Sequence, residues 1–297
     1  MSNKTKKKGF QTGRQRYVCL TCKKNFRSQY NKNRLQKSIW SSFVYGRQTI
    51  GRLSKEYTRS PNWVRKQLND YRVPQKAVVP CKTVIIADST FFKHWYGICV
   101  LRANKLNKNI YWRQIDYERV NDYDRARIDI ERRGFVISAV VTDGKPGVRG
   151  VFGDVPVQMC HFHQKQIIIR HLTTRPKLEA GIELRKSSQT LCESNEKEFT
   201  QKLDAWHLKW HDFLKEKTID PETGKVYYTH RRIRSAHYSL RTNLPYLFTY
   251  LKYPKRNIPN TTNSLEGCFS HLKELTKIHR GLNYQLKRKM IDEILAK

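Results

Sequence analysis

Asp88 and Asp143 each follow a short apolar, β-branched run. The first run is Val84–Ala87 within KTVIIADSTFF (82–92). The second is VISAVVT (136–142), followed by Asp143-Gly144. Runs of this kind suit strands buried on both faces. A carboxylate at the end of a buried strand costs free energy unless its charge is compensated. A lone strand-end Asp commonly caps the next turn, but its recurrence on two strands points to a shared site. A third acid, Glu266, opens a helix with the buried stripe Leu265, Phe269 and Leu272 and with Ser264 or Asn263 as N-cap. The helix dipole alone would favour an acid there. Three acids at one point repel each other unless cations neutralise them, and an oxygen-only ligand set suits Mg²⁺ or Mn²⁺. Two such ions about 3.5–4 Å apart activate a water or a 3′-hydroxyl and stabilise the leaving oxygen of an in-line displacement.

Two other groups could bind metal. Cys160-His161-Phe162-His163 follows a short strand expected over Val155–Met159. Its C-x2-H spacing offers either two zinc ligands or buried, hydrogen-bonded residues lining the acidic site. Cys19-Leu-Thr-Cys22, with a basic turn and Phe26 behind it, has the form of one zinc-ribbon knuckle. A structural zinc needs four ligands. The nearest other candidates in the chain are Cys81 and His94. The alternatives are a half-site completed by a partner and one left by a shortened start.

The elements that position these residues follow from periodicity. A basic arm is expected over residues 1–16. Three short helices are expected over 33–72, on the stripe Leu35, Ile39, Phe43, then on 50, 53 and 57, then behind an N-cap at Ser60 with Pro61. Trp63, Val64 and Leu68 face inward in the third helix. Asn62, Arg65, Lys66 and Asn69 face outward, as in a helix-turn-helix or in a plain three-helix cap with a solvated basic face. After a linker over 74–80, strands are expected at 84–87, 95–101 and 110–115, with turns at Gly97 and over 104–109. A helix over 117–133, closed by Gly134, leads to the strand before Asp143. The order β-β-β-α-β makes a mixed sheet with helices on its faces. Residues 164–253 read as helical, with a core stripe of Phe199, Leu203, Trp206, Trp210, Phe213 and Leu214. Arg231, Arg232, Arg234 and Arg241, interleaved with Tyr and His, suit phosphate contacts and base stacking, or else a solvated basic face.

The 297 residues carry 59 Lys and Arg against 25 Asp and Glu, a formal charge of +34 spread along the whole chain. Such a field suits a routine polyanionic partner, and nucleic acid leads. No run approaches 18 apolar residues, so no membrane partner is expected, and the N-terminus lacks the apolar stretch of a signal peptide. Seven cysteines, scattered apart from the one pair, argue for a reducing compartment rather than a disulfide framework.

Taken in order, IIADSTFF (85–92), VVTDGKPG (140–147), CHFH (160–163), THRRIRSAHYSLRTNLPYLFTYLKYP (229–254) and NIPNTTNSLEGCFSHLK (257–273), running on to HRGL (279–282), resemble a bacterial insertion-sequence transposase. The likeness is to the mutator-like group, in the variant with an N-terminal zinc-binding region. It implies an α/β fold: an RNase H-like mixed sheet with flanking helices and an all-α insertion, preceded by a small helix-turn-helix domain. The implied divisions are a basic arm with a partial knuckle (1–30), a helix-turn-helix (31–76), a first catalytic-core segment (80–163), a helical insertion (164–254) and a second catalytic-core segment (255–297). The implied catalytic triad is Asp88, Asp143 and Glu266, holding two Mg²⁺ or Mn²⁺ ions, with Cys160 and His163 beside it and an incomplete Zn²⁺ site at Cys19 and Cys22. The implied activity is cleavage at the ends of an element and transfer of the freed 3′-hydroxyls into target DNA, by a homodimer or larger oligomer on double-stranded DNA in the bacterial cytoplasm. Members with the zinc region have two cysteine knuckles, and this chain has one. A copy that only binds DNA, and an RNase H-like nuclease that cuts without joining, are the competing readings.

Overall fold

A computed structural model of the chain describes residues 4–11, 14–27, 32–74, 77–92, 96–279 and 281–297. His94 and Arg280, with some residues of the expected basic arm, lie outside these. The chain forms two compact units. One holds the residues up to Pro74 with Leu275–Met290, the other Gln75–Glu274 with Ile291–Lys297. The segment expected as one piece over 255–297 is therefore divided between them. No helix among the described residues is long and apolar enough to cross a membrane.

In the first unit, the stretch read as a basic arm is paired. Strands β1 (Thr5–Gln11), β2 (Arg14–Cys19) and β3 (Asn25–Arg27) form an antiparallel meander. Lysine side chains along β1 stay in solvent while its backbone is paired, which a composition-based reading does not see. Helices α1 (Lys32–Val44), α2 (Ile50–Glu56) and α3 (Pro61–Asp70) follow. Ser60 caps α3 by accepting the Trp63 N–H at 3.2 Å, with Pro61 in the first turn. Ile39, Phe43, Leu53, Val64 and Leu68 are fully buried, so the apolar stripes close one small core. The C-terminal segment joins it: His279 donates Nε2–H to the Phe43 carbonyl at 2.9 Å, and Lys289 lies over the Trp40 ring.

The second unit is built on a five-stranded sheet. Its strands are β4 (Lys82–Phe92), β5 (Tyr96–Ala103), β6 (Lys108–Ile115), β7 (Val136–Thr142) and β8 (Val157–Met159), in the order β6-β5-β4-β7-β8. The first three are antiparallel, while β7 and β8 run parallel to β4. Helix α4 (Val120–Arg132) makes the crossover to β7, and α5 (Pro146–Val151) joins β7 to β8. Gly134 ends α4 at φ +91°, a left-handed turn that suits glycine. Gly97 is not a turn residue. It lies inside β5 opposite Phe91, where a Cβ would come within 2.5 Å of that ring. Ile85 and Ala87 face Tyr123, Ala126 and Ile130 of α4. By the period of two, Ile86 and Asp88 face the other side of the sheet.

The helical lobe holds α6 (His161–Leu172), α7 (Glu179–Gln189), α8 (Glu196–Lys209), α9 (His211–Lys215), α10 (Arg231–Leu247) and α11 (Thr249–Lys252). It also contains a short hairpin, β9 (Lys217–Ile219) with β10 (Val226–Tyr228), where helices joined by a turn at Asp220–Gly224 were expected. Phe199, Leu203, Trp206 and Leu214 are buried in the lobe's core, and Trp210 and Phe213 pack at its margin. Helix α12 (Asn263–Ile278) then returns the chain to the sheet, and α13 (Tyr284–Leu295) ends it. Asn109 of β6 reaches Cys268 of α12 at 3.5 Å and donates to the Leu295 carbonyl at 3.0 Å. Ile110, the next residue, faces the α4 side. Helix α12 therefore lies on the face that carries Asp88.

Candidate active site

Asp88 sits farther into its strand than the apolar run suggested. β4 continues four residues beyond it, paired with β5, whereas its parallel pairing with β7 ends at Ile86–Val141. The side of β4 next to β7 is thus where Asp88 emerges. Its residue is only 7% exposed, and one oxygen accepts the Ser89 N–H at 2.8 Å. Burial pushes its carboxyl up to about 8, against the lowering effect of the Ser89 N–H. The nearby charges of Asp143, Glu118 and Glu266 push in the same direction as burial. Asp143 and Glu266, the other two acids singled out in the sequence, thus act on Asp88, and so does a fourth acid, Glu118.

Asp143 follows β7 directly. Thr142 pairs with Met159, so Asp143 and Cys160 leave neighbouring parallel strands in step. Ligand sites in sheets of this kind collect at such carboxyl ends. One Asp143 oxygen accepts the Lys145 N–H at 3.1 Å, and Gly144 between them has φ +96°. That conformation, with the Met159 side chain where a Cβ would go, leaves room only for glycine. Arg149 fixes the same loop, donating to the Gly144 carbonyl at 2.7 Å and to Asn243 of α10 at 2.5 Å. Asn243 in turn donates to Gln164 of α6 at 2.6 Å. The helical lobe is thus hydrogen-bonded to the Asp143 loop.

Glu118 is the fourth acid, and no sequence pattern pointed to it, because it fell among the charged residues of the polar helix expected over 117–133, whereas α4 begins only at Val120. It accepts the Tyr123 hydroxyl at 2.5 Å, and Tyr123 lies 2.9 Å from the Ser89 hydroxyl. Lys145 Nζ donates to the Glu118 carbonyl at 2.6 Å and stands 3.5 Å from its carboxylate.

Glu266 is in the first turn of α12, which starts at Asn263. Thr262, just ahead of it, accepts the Leu265 and Glu266 N–H groups on its carbonyl. The Thr262 hydroxyl donates to Glu266 Oε1 at 2.9 Å. Cys160 Sγ accepts the Thr262 N–H at 3.2 Å and lies 3.3 Å from the Thr262 hydroxyl. Since that hydroxyl's proton goes to Glu266, the thiol is the donor across the 3.3 Å contact. His161 donates its N–H to the Asn260 carbonyl at 2.9 Å and its Nε2–H to the Leu247 carbonyl at 2.6 Å. The CHFH segment therefore fastens the end of β8 to the entry of the Glu266 helix. His163 Nδ1 lies 3.9 Å from Glu266 Oε1. Burial pushes the Cys160 thiol up, while hydrogen bonds from Thr262 and from the α6 backbone pull it down.

The other candidates divide. Asn62, Arg65 and Lys66 are exposed on α3, and Arg65 donates to the Asn62 side chain at 2.8 Å. Arg231 and Arg232 are exposed on α10, the first stacked over Tyr227 and the second donating to the Arg170 carbonyl at 2.8 Å. Arg234 is drawn inward, donating to the Leu214 carbonyl at 2.7 Å with its guanidinium over Tyr228. Arg241 is ion-paired with Asp204. Cys19 and Cys22 flank a tight turn with Lys23 at φ +56°, the shape of a knuckle. Among the described residues, only Cys160, His163 and Glu266 form a group of three metal-capable side chains.

The chain is a mixed α/β protein with acids near the carboxyl end of the parallel strands of its sheet. No family model and no curated protein matches the chain. Among solved structures it is similar to the Drosophila P element transposase strand transfer complex, at 13% identity over 92% of this chain and 93% of that one, with a TM-score of 0.35. At that score a likeness does not establish a shared fold.

Proposed function

We propose that the chain is a metal-dependent transposase with an RNase H-like core and an Asp88-Asp143-Glu266 triad. One observation carries this reading. Asp88 lies buried where β4 leaves its pairing with β7, Asp143 directly follows β7, and Glu266 lies in the first turn of α12 on the same face as Asp88, with both acids near enough to act on the Asp88 charge. A site so arranged needs a proton or a cation to compensate it. Oxygen donors at the ends of strands suit Mg²⁺ or Mn²⁺, and Asp88, Asp143 and Glu266 are the residues that would hold them. When bound, two such ions stabilise the attacking and leaving oxygens of a phosphodiester displacement.

The chain's own residues supply the rest. The Ser89 N–H and the Lys145 N–H each fix one oxygen of an acid, leaving the other available. Thr262 does the same for Glu266. The exposed basic faces of α3 and α10, through Asn62, Arg65, Lys66, Arg231 and Arg232, would hold the DNA backbone. Arg234 and Arg241 would shape that face from within the lobe. The strand order, antiparallel β6-β5-β4 followed by parallel β7 and β8, supports the RNase H-like assignment. The helical lobe between β8 and α12 supports that of an insertion. Action as a homodimer or larger oligomer on paired element ends, in the cytoplasm, completes the proposal, with Zn²⁺ at Cys19 and Cys22 where a partner segment closes the site. A copy that only binds DNA is the second reading, favoured by the single C-x2-C pair.

The test is Mg²⁺- or Mn²⁺-dependent cleavage of duplex DNA carrying the element's terminal repeats. Wild type is compared with Asp88→Ala, Asp143→Ala and Glu266→Ala. The expected outcome is cleavage by wild type, joining of the new 3′-hydroxyls to a second duplex, and loss of at least about 10²-fold in each variant. Cleavage that survives all three substitutions would sink the triad. Binding without cleavage would establish the second reading.

A further inference from the structure

An all-oxygen metal site leaves the Cys160, His163 and Glu266 cluster unexplained. Their donor atoms lie within 4.8 Å of one another. Cys160 is fully buried. His163 Nδ1 is also shielded from solvent, has no hydrogen-bond partner, and stands 3.9 Å from Glu266 Oε1. A buried ring nitrogen without a partner is uncommon, because its lost hydration is not repaid. Sulfur, nitrogen and oxygen together are a poor set for magnesium and a good one for zinc or a similar borderline ion.

The geometry points to a second, softer metal centre in which Cys160 Sγ, His163 Nδ1 and Glu266 Oε1 bind one Zn²⁺-class ion and leave its fourth position open. An ion there draws Glu266 away from the magnesium site, so zinc antagonises magnesium. The binding half stands by itself; the antagonism rests on the reading under Proposed function.

The required movement is small. Tetrahedral zinc, with Zn–S about 2.3 Å and Zn–N about 2.0 Å, sets its ligand atoms roughly 3.3–3.6 Å apart. The three atoms must therefore close by about an ångström, which side-chain rotation supplies. The backbone is already held. Cys160 N–H donates to the Thr142 carbonyl at 2.8 Å, and the Gln164 N–H donates to the Cys160 carbonyl at 3.0 Å. Cys160 and His163, three apart at the start of α6, share one face. The outer contacts are those a metal centre uses: the Thr262 N–H reaches the sulfur, and the Thr262 hydroxyl orients the carboxylate.

The experiment uses the full chain with Cys19→Ser and Cys22→Ser, so that the N-terminal pair contributes nothing, and titrates it with Co²⁺ in magnesium-free buffer. The expected result is a single equivalent of tetrahedral cobalt, with visible d–d bands and a near-ultraviolet thiolate charge-transfer band, both displaced by Zn²⁺. Cys160→Ser should abolish the charge-transfer band. His163→Gln should weaken cobalt binding by more than about tenfold. Circular dichroism and thermal unfolding show that each variant is folded, and serine keeps a hydroxyl for the Thr262 contacts. No thiolate band in the parent, or a band that persists in folded Cys160→Ser, overturns the centre. Where the parent cleaves DNA, equimolar Zn²⁺ should suppress Mg²⁺-dependent cleavage, and whatever cleavage Cys160→Ser retains should be insensitive to it. Cobalt binding without zinc inhibition overturns the antagonism alone. Cobalt binding by a chain that cleaves nothing overturns the catalytic reading and leaves the centre standing.

Discussion

Asp88 is an acid buried within a strand, with its proton held to about pH 8 where an ordinary aspartate releases it near 3.8. Between those values the folded chain binds more protons than the unfolded one, so the Asp88 contribution to stability is full below about pH 4 and is lost as pH rises through 8. Replacing the carboxylate by an amide of the same shape removes that loss. Asp88→Asn should therefore unfold several degrees higher than wild type at pH 8 in chelator, with the gap closing toward pH 4. Magnesium should narrow the gap at pH 8 by stabilising wild type alone. Parallel unfolding curves across that range, measured by calorimetry, would show that the Asp88 charge is not a burden on the fold. Asp88 and Asp143 stood out in the sequence because each follows an apolar run, and Glu266 because it opens an amphipathic helix, although Asp88 lies inside β4 and not at its end. Glu118 and Thr262 did not. Their roles come from contacts with Tyr123, Lys145 and Cys160 that are distant or unpatterned in sequence.

At the scale of elements, the sheet was legible and the β9–β10 hairpin was not. Four of the sheet strands have seven or more residues and the short β8 is fully buried, whereas each hairpin strand has three residues and little burial. The helical lobe was legible from the stripe through α8 and α9, but not its dependence on pH. His237 of α10 stacks on Trp206 and lies face to face with His207 at 4.8 Å, while Arg241 donates to its Nε2 at 3.3 Å. Burial, together with the charges of His207, Arg241 and Arg234, drives it from 6.5 down to about 4, with Asp204 in partial opposition. Burial also lowers His171 and His207 nearby. Here the unfolded chain takes up the proton first, so stability is full above about pH 6.5 and falls as pH drops toward 4. His237→Gln keeps an acceptor for Arg241 and cannot titrate in this range. Its unfolding temperature should fall less steeply than that of wild type between pH 6.5 and 4, as followed by circular dichroism. An unchanged slope would place the acid sensitivity elsewhere in the lobe.

Over the whole molecule, 59 basic residues outnumber 25 acidic ones, and three of those acids (Glu118, Asp143 and Glu266) lie near enough to a fourth, Asp88, to act on its charge. The remaining field is more positive than the count suggests, and it extends over both compact units rather than along a tail. Self-repulsion of that size favours any partner that brings negative charge. Where a duplex is held by phosphate contacts, affinity falls with salt by about 0.9 logarithmic units per contact and per decade of salt. Roughly six to ten such contacts, from α3, α10 and the basic residues around them, would cost about 10³–10⁵ in affinity between 50 and 200 mM salt. Fluorescence anisotropy with a non-specific duplex should give a log–log slope of about −5 or steeper. Joint removal of Arg65, Lys66, Arg231 and Arg232 should flatten it by about one unit for each phosphate no longer held. The triad substitutions should leave the slope unchanged, because the acids hold the reacting phosphate and not the backbone around it. A slope shallower than about −2 in the parent would mean that the charge serves some end other than holding DNA.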